Sequence, residues 1–321
     1  MTATLESDLS RPTIVARRRR RPWVWVANAM VAVLVAMLAH ALLANPNFQW
    51  GVVGQYFLSS SILQGLFKTL LLTVLSMVIG IVLGTLLAVM KRADTPVVSG
   101  VATVYIWFFR GTPLLVQLIF WYNLSSLYAH LSLGVPFGAG LWSASTNALI
   151  SPFTAALLGL GLNQAAYTAE IVRAGILSVP RGQLDAAASM GMARSLTMRR
   201  VILPQAMRVI IPPIGNETIG MLKTTSIVSV LAMPELLYSA QLIYARTYET
   251  MPLLIVASLW YLIVTSVLTV VQGRIERRFA RGSLDTTNPR SARQVLRRFG
   301  AVHASPHVIR EPVTTDTEGA R

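Results

Sequence analysis

The chain has 321 residues, of which 54% are hydrophobic and only 13% are charged, whereas about a quarter of the residues in a soluble domain carry charge. Several apolar runs reach the roughly 20 residues that a helix needs to cross a bilayer, and they are continuous rather than alternating. The sequence therefore predicts an all-α polytopic membrane protein and disfavours a β-barrel. The basic residues behind the net charge of +15 lie beside the ends of these runs. If successive spans alternate in direction, these ends face one side of the membrane, which indicates membrane topology rather than a nucleic-acid partner. With no cysteine and no histidine pair at a metal-ligand spacing within a span, we predict no disulfide, metal or other cofactor.

The first apolar run follows a polar and basic segment, residues 1–22, which we predict to be a cytoplasmic tail. The run itself, Trp23–Leu43, is longer than the roughly 7–15 apolar residues of a signal peptide and has no convincing cleavage site. It predicts a retained first membrane span. We expect an external loop with an interfacial helix to follow, so that residues 23–59 form one N-terminal unit.

The second predicted span, Leu66–Met90, returns the chain to the cytoplasmic side at Lys91 and Arg92. It contains Gly80 and Gly84 at a small-xxx-small spacing, which lets a neighbouring helix approach closely. The same spacing is also common by chance, so a close helix neighbour is only one of two interpretations.

A helix-start signal follows in Thr112 and Pro113, an N-cap residue before a first-turn proline. We expect the third span to begin there and to end near Leu131. Residues 97–109 then lie at the cytoplasmic interface and Arg110 stays at the water-exposed edge of the membrane, since a charge at the bilayer centre costs at least about 2.5 kcal/mol.

The rest of the apolar sequence predicts three more spans, with external loops over residues 132–148 and 233–251. The spans run from Ile150 to Leu177, from Val201 to Val230 with interruptions at Pro212–Pro213 and Lys223–Ser226, and from Pro252 to Val271. Six spans place both chain ends in the cytoplasm. Residues 282–321 are rich in Arg, Thr, Ser and Pro and poor in large apolar groups, which predicts a disordered cytoplasmic tail.

Polar side chains within the spans are candidates for a transport pathway, because such groups are costly in a bilayer. The alternative is hydrogen bonding between helices, which is frequent, and for Lys223 it is snorkelling to the interface. Glu170 and Arg173, near the cytoplasmic end of their span, are interpreted as bracing the amphipathic segment that follows this span. The candidate pathway residues are Gln117, Asn163, Gln164, Asn216, Glu217, Lys223 and Thr224.

A soluble-looking amphipathic segment, Arg181–Arg200, lies between the fourth and fifth spans. On one continuous helix, Leu184, Ala188, Gly191 and Ser195 would share a face, and most of them are small enough for a partner to pack closely. Basic amphipathic helices usually lie on the lipid surface, but this face lacks aromatic and large apolar side chains. We therefore favour a protein partner at this segment.

The residues Asp185-Ala-Ala-Ala-Ser-Met-Gly191, followed by Ile202-Leu-Pro204, resemble the EAA coupling motif of ABC importer permeases. The wider sequence, including Arg110-Gly-Thr-Pro-Leu-Leu-Val-Gln117, is similar to the polar amino-acid (histidine, glutamate and glutamine type) branch over about residues 60–280. Asp185 stands where the motif usually has Glu, which keeps the charge but changes the contact distance. The residues that the resemblance assigns to ATPase coupling are Arg181, Gly182, Leu184, Asp185, Ala186, Ala187, Ala188, Gly191 and Pro204.

This resemblance implies a MetI-like permease core over residues 60–281, with one extra N-terminal helix. It further implies a bacterial inner-membrane subunit for polar or charged amino acids that pairs with a second permease, identical or not. Two cytoplasmic ATPases would bind the ATP and an extracytoplasmic binding protein would deliver the substrate, so the chain itself is not an enzyme. An ion-gradient secondary transporter is the first alternative, although no internal repeat is visible. The second is a non-transporting scaffold, in which the polar span residues would be idle.

Overall fold

The computed structural model describes residues 22–134 and 140–280, and most of its helices coincide with the apolar runs. The α-helices are α1 (Pro22–Ala44), α2 (Trp50–Phe57), α3 (Ser60–Met90), α4 (Pro96–Gly111), α5 (Leu114–Tyr122), α6 (Thr146–Leu149), α7 (Pro152–Leu177), α8 (Arg181–Ser189), α9 (Arg194–Thr197), α10 (Leu203–Thr224), α11 (Leu236–Thr247) and α12 (Thr250–Ala280). The strands β1 (His130–Gly134) and β2 (Gly140–Ser145) pair antiparallel. Short 3₁₀ turns cover Pro46–Phe48, Leu124–Ser126 and Thr225–Leu231, and a π turn covers Met198–Ile202. Apart from Pro22, both predicted tails lie outside the described residues.

Three helices of the described chain, α1, α3 and α12, are long and apolar enough to cross a membrane. The number rises to five if each of two bent helix pairs counts as one span, namely α4 with α5 and the segment Arg194–Leu231 with α11. Helix α7 has 26 residues, but polar side chains such as Asn163 and Gln164 dilute its apolar sequence and it is not among these candidates. A polytopic helical membrane protein is thus confirmed, whereas the fourth predicted span stays a prediction.

The predicted third span is wrong beyond its start. The break at Thr112 and Pro113 is confirmed, because α4 ends at Gly111 and α5 begins at Leu114. However, α5 ends at Tyr122 rather than near Leu131. The Asn123 side chain turns back to donate to the Ile119 carbonyl at 2.8 Å, and a 3₁₀ turn leads into β1. The Gly- and Pro-containing stretch predicted as a loop therefore includes a β-hairpin.

The predicted interruption at Pro212–Pro213 is also wrong, because α10 runs through both prolines without a break. Prolines are tolerated within membrane helices where neighbouring groups satisfy the carbonyls that they leave free. The predicted break near Lys223 is confirmed by the change from α10 to a 3₁₀ turn at Thr225. There the Thr225 and Ser226 hydroxyls each donate at 2.7 Å to carbonyls at the end of α10.

The described chain divides into two compact units whose boundaries fall within long helices. Among the described residues, the first unit comprises 22–75, 115–134, 140–159 and 222–264, and the second comprises 76–114, 160–221 and 265–280. The first has an apolar core made by α2, α3, α11 and α12, with Ile62, Leu236 and Leu253 fully buried.

Glu235 organises this first unit from a fully buried position at the start of α11. Its carboxylate caps the helix by accepting from the backbone N–H groups of Leu237 and Tyr238 at 2.9 and 2.7 Å. It also accepts from the Tyr261 hydroxyl at 3.1 Å and, more weakly, from the Thr69 hydroxyl at 3.5 Å. A single buried carboxylate thereby ties α11 to α3 and α12.

Glycines set the helix spacing in the second unit. A Cβ on Gly80 would lie 2.5 Å from Gln164 Cγ, and one on Gly84 would lie 2.7 Å from the Ala165 carbonyl oxygen. The small-xxx-small interpretation is therefore confirmed, since α3 and α7 are in contact at both glycines. Farther along α7, Gly175 packs directly against the Ile210 side chain of α10.

Candidate functional site

The predicted coupling segment is not one helix, because α8 ends at Ser189. Gly191 has φ +70°, the left-handed conformation that favours glycine. The Met192 N–H donates to the Ala187 carbonyl at 3.0 Å, and the Gly191 N–H donates to the Ala188 carbonyl at 2.9 Å. This is a Schellman motif, in which the glycine closes the helix and reverses the chain. The predicted common face through Leu184, Ala188, Gly191 and Ser195 is therefore wrong.

Helix α8 nevertheless presents an open surface. The predicted coupling residues on it are exposed, with the exception of Ala187, and so are Gly191 and Pro204 on the residues that follow. Met190 caps the helix with a large apolar side chain that is 81% exposed. The sequence reasoning missed Met190, although it stands inside the motif that was singled out.

The two ends of α8 connect to the two long helices of the second unit. Helix α7 ends three residues before it, and α9, the π turn and α10 follow it as one uninterrupted helical segment. Val172 of α7 and Val179, in the connection between α7 and α8, pack with Ile202 and Ile210 in one buried cluster. A displacement of α8 would therefore be passed to α7 and α10 together.

The same two helices line a charged cleft of about 360 Å³ in the second unit. The end of α4 completes the lining. The residues that line the cleft are Arg110, Tyr167, Glu170, Ile171, Arg173, Ala174, Val209, Pro213 and Glu217. Two cations and two carboxylates thus face one small volume.

One of these carboxylates, Glu170, is already compensated by cations. Its Oε1 accepts from Lys91 Nζ at 2.7 Å, and its Oε2 accepts from Arg173 Nη2 at 2.7 Å and Nε at 2.9 Å. The Glu170 side chain is 19% exposed, so the attraction is screened less than at a free surface. The pairing joins the residue after α3 to α7, whereas the predicted bracing of the coupling segment by Glu170 and Arg173 stays a prediction.

Arg110 and Glu217 are the other charges of the cleft. The Arg110 guanidinium lies over the Tyr167 ring, 5.3 Å from its centroid, within the range of a cation–π contact. Among the described residues, neither Arg110 nor Glu217 forms a salt bridge. The cleft therefore offers one cation and one anion to a ligand. The sequence predicted Glu217 but left Arg110 at the border and gave no role to Tyr167.

Asn163 and Gln164 lie on α7 in contacts with other helices. Asn163 Nδ2 donates to the Phe109 carbonyl at 2.9 Å, close to the end of α4. Gln164 is buried against Gly80, and its Nε2 donates to Thr168 Oγ1 at 3.4 Å. The Asn163 bond is a hydrogen bond between helices, which was the alternative to a pathway role, whereas the Gln164 bond stays within α7. Neither residue lines the charged cleft.

Asn216 faces a different neighbour from Glu217, although the two are adjacent on α10. Its Oδ1 accepts from Gln272 Nε2 of α12 at 2.8 Å. Gln272 approaches closely at Gly215, where a Cβ would lie 2.8 Å from its side chain.

The other predicted pathway residues belong to the first unit. Gln117 is buried on α5, Lys223 is exposed near the end of α10, and Thr224 is half-buried. Of the candidates, the cleft thus includes only Glu217.

Comparison with solved structures supports the fold. A crystal structure of an amino acid ABC transporter with histidines matches 68% of this chain and 94% of that chain, with a TM-score of 0.58 and 38% sequence identity. An inward-facing MetNI methionine ABC transporter matches the same share of this chain with a TM-score of 0.51 and 17% identity.

Sequence comparisons identify the family. The chain is 44% identical over 299 residues, 93% of each chain, to the arginine transport system permease protein ArgU of Corynebacterium glutamicum. It is 36% identical over 242 residues, 75% of this chain and 95% of the relative, to the L-cystine transport system permease protein TcyB of Bacillus subtilis. Residues 76–281 match the family model of the binding-protein-dependent transport system inner membrane component. The chain belongs to this family of ABC importer permeases and is a membrane-embedded transport subunit, not a scaffold or an ion-gradient carrier.

Proposed function

We propose that the chain forms half of the translocation path of an ATP-driven importer of arginine, and that the charged cleft is where the amino acid meets it. The 44% identity to ArgU over 93% of both chains supports arginine as the substrate. The cleft fits an amino acid in general, because every amino acid carries a carboxylate and at least one cation. Arg110 would bind the former and Glu217 the latter.

The main support for this assignment is that one carboxylate of the cleft is paired with cations and the other is not. Glu170 is satisfied by Lys91 and Arg173, whereas Glu217 has no salt bridge among the described residues. A carboxylate left in this state in a membrane protein is a candidate ligand group. Tyr167 holds Arg110 by its ring face, which leaves the edge of the guanidinium available for a carboxylate.

Coupling would follow from the order of the helices. We propose that a cytoplasmic ATPase grips α8 through Asp185, the small residues around it and Met190. ATP-driven closure of two ATPases would displace α8, and α7 and α10 would move with it because they pack together at Gly175. The charged cleft lies between those helices, so its access would change with ATP state.

The proposed assembly has a second permease subunit, two ATPases that bind the ATP, and an extracytoplasmic binding protein. No cofactor is assigned to this chain. We also propose that both termini lie in the cytoplasm, because basic residues stand beside the ends of the spans that would face inward. Asp185 would make the contact that Glu usually makes, with a side chain shorter by one methylene.

Uptake of radiolabelled arginine tests the substrate and the cleft together. Cells that lack other arginine uptake would express the chain with its ATPase and binding protein. We expect Glu217→Gln to reduce uptake at least tenfold, since losing a charge-assisted hydrogen bond costs about 1.5–3 kcal/mol. The matched control, Glu249→Gln, removes a charge outside the cleft and should leave uptake unchanged. Equal uptake by both variants would remove the cleft assignment, and uptake of glutamine or cystine in place of arginine would correct the substrate.

Site-directed cross-linking tests the docking role of α8, and the absence of cysteine makes single-cysteine variants straightforward. A Met190→Cys variant should cross-link to a cysteine introduced on the ATPase surface. Tyr248→Cys is a control of similar exposure, 89% against 81%, in the other unit. Cross-linking at both positions, or at neither, would contradict docking at α8.

A further inference from the structure

A second cavity, of about 480 Å³, opens near the N-terminal end of α3 in the first unit. Two of its lining side chains, Lys68 and Arg246, are cations, and none is acidic. Neither cation forms a salt bridge with a carboxylate in the part of the chain that the structure describes. The Ser61 hydroxyl and the second N–H of the Gln64 amide, whose first N–H donates to Ser60 Oγ, add hydrogen-bond donors. The cavity is therefore suited to an anion.

An apolar cavity of about 470 Å³ adjoins it and shares Gln64 and Lys68 with it. Its other lining residues include Leu58, Leu63 and Phe67, and Phe67 is 65% exposed. Exposed side chains of this kind on a membrane helix are covered by acyl chains. A cationic pocket and an apolar groove that meet at one lysine match an amphiphile with an anionic head, rather than a free anion.

The depth of Lys68 agrees with a phospholipid headgroup. Helix α3 has 31 residues, which gives it a length of about 46 Å at a rise of 1.5 Å per residue. A bilayer has a hydrocarbon core of about 30 Å, so a centred α3 extends roughly 8 Å beyond it at each end. Lys68 lies about 12 Å from Ser60 along the axis, just inside the core, and its long side chain reaches the phosphate level by snorkelling.

We propose that these two cavities form one binding site for an anionic phospholipid. Its phosphate lies between Lys68 and Arg246, and one acyl chain follows Leu63 and Phe67. Because Lys68 belongs to α3 and Arg246 to α11, the bound lipid holds α11 against α3. The site is separate from the charged cleft and does not depend on which amino acid is transported.

Native mass spectrometry of the full chain, together with any subunits that co-purify, tests the proposal. Detergent-purified protein would be titrated with phosphatidylglycerol and, in parallel, with phosphatidylcholine and inorganic phosphate. We expect phosphatidylglycerol to bind more tightly than phosphatidylcholine. Removing one cation, by Lys68→Gln or Arg246→Gln, should weaken its binding about fivefold, and the double variant about 25-fold.

Two control variants separate the lipid site from a general loss of structure. The swap Lys68→Arg with Arg246→Lys keeps both charges and should retain the lipid. Phe67→Ala should weaken binding, whereas Val74→Ala, a change at a similarly exposed residue of the same helix, should not. Unchanged phosphatidylglycerol binding by the double glutamine variant would overturn the proposal. Displacement of the lipid by millimolar inorganic phosphate would show a free-anion site instead. If the double variant kept the lipid but lost stimulation by the binding protein, the cavity would be a protein-docking surface and the lipid site would be wrong.

Discussion

Substitutions at Gly191 distinguish a backbone role for this glycine from a place on the docking surface. A Cβ at this position would meet nothing within 4 Å, but the residue has φ +70°. Alanine is therefore sterically free and strained only through the backbone, by about 1–2 kcal/mol. Such a strain lowers the population of the native turn roughly 5–30-fold relative to the unwound turn. Asparagine tolerates the left-handed conformation better, and arginine adds both the strain and a bulky charge on an exposed surface.

We expect uptake to decrease in the order Gly, Asn, Ala, Arg, with transport abolished only in Gly191→Arg. The assay is initial uptake by cells that express the complete importer, normalised to the amount of permease in the membrane fraction. Gly191→Arg should insert normally, because the residue is exposed. If Gly191→Ala transports as well as Gly191→Asn, the strain argument is wrong. If Gly191→Arg is no worse than Gly191→Ala, Gly191 lies outside the docking surface.

Three further predictions, one with a control substitution, address helix packing within each unit. Gly84→Ala should destabilise the protein by an overpacking cost of about 1–3 kcal/mol and so lower the melting temperature of the purified protein. The control, Gly100→Ala, changes a helical glycine with open space around it and should raise the melting temperature slightly. Glu235→Ala should destabilise the protein by more than the roughly 1 kcal/mol that the loss of an ordinary N-cap costs. The reason is that the buried Tyr261 hydroxyl and two backbone N–H groups lose their acceptor. A melting temperature equal to that of the wild type would refute this. Gly175→Val should separate α7 from α10 at Ile210, so ATP hydrolysis should continue while uptake falls, and parallel loss of both activities would contradict a coupling role.

Periodicity and hydropathy predicted the long elements because each of these elements is dominated by one apolar run. The first predicted span coincides with α1, the last lies within α12, which continues nine residues farther to Ala280, and the helix break at Thr112–Pro113 follows from local residue chemistry. The close approach at Gly80 and Gly84 was also visible in the sequence. In each case the deciding interaction lies within a few residues of the pattern that predicts it.

The errors arose where contacts distant in sequence, or one backbone angle, decide the structure. A helical wheel places Gly191 on a face, whereas its left-handed conformation ends the helix. Proline signals predict a break at Pro212, but α10 continues through it. Glu235 lay in a predicted external loop. One of its partners, the Thr69 hydroxyl, lies 166 residues earlier in the chain, and no local pattern reports such a partner.

The charged cleft shows why the pathway residues were the hardest to predict. Asn163 and Glu217 were both predicted because each is a polar residue within a predicted membrane span. However, Asn163 donates to a backbone carbonyl of α4, whereas Glu217 faces an open volume. The difference is whether the side chain has a hydrogen-bonding or ion-pairing partner, and this depends on residues from three helices. Arg110 enters the cleft only because α4 ends beside Tyr167. The proposed docking helix, α8, lies between α7 and α10 in the chain, and these two helices form walls of that cleft, so the chain order itself joins the proposed ATPase contact to the proposed substrate site.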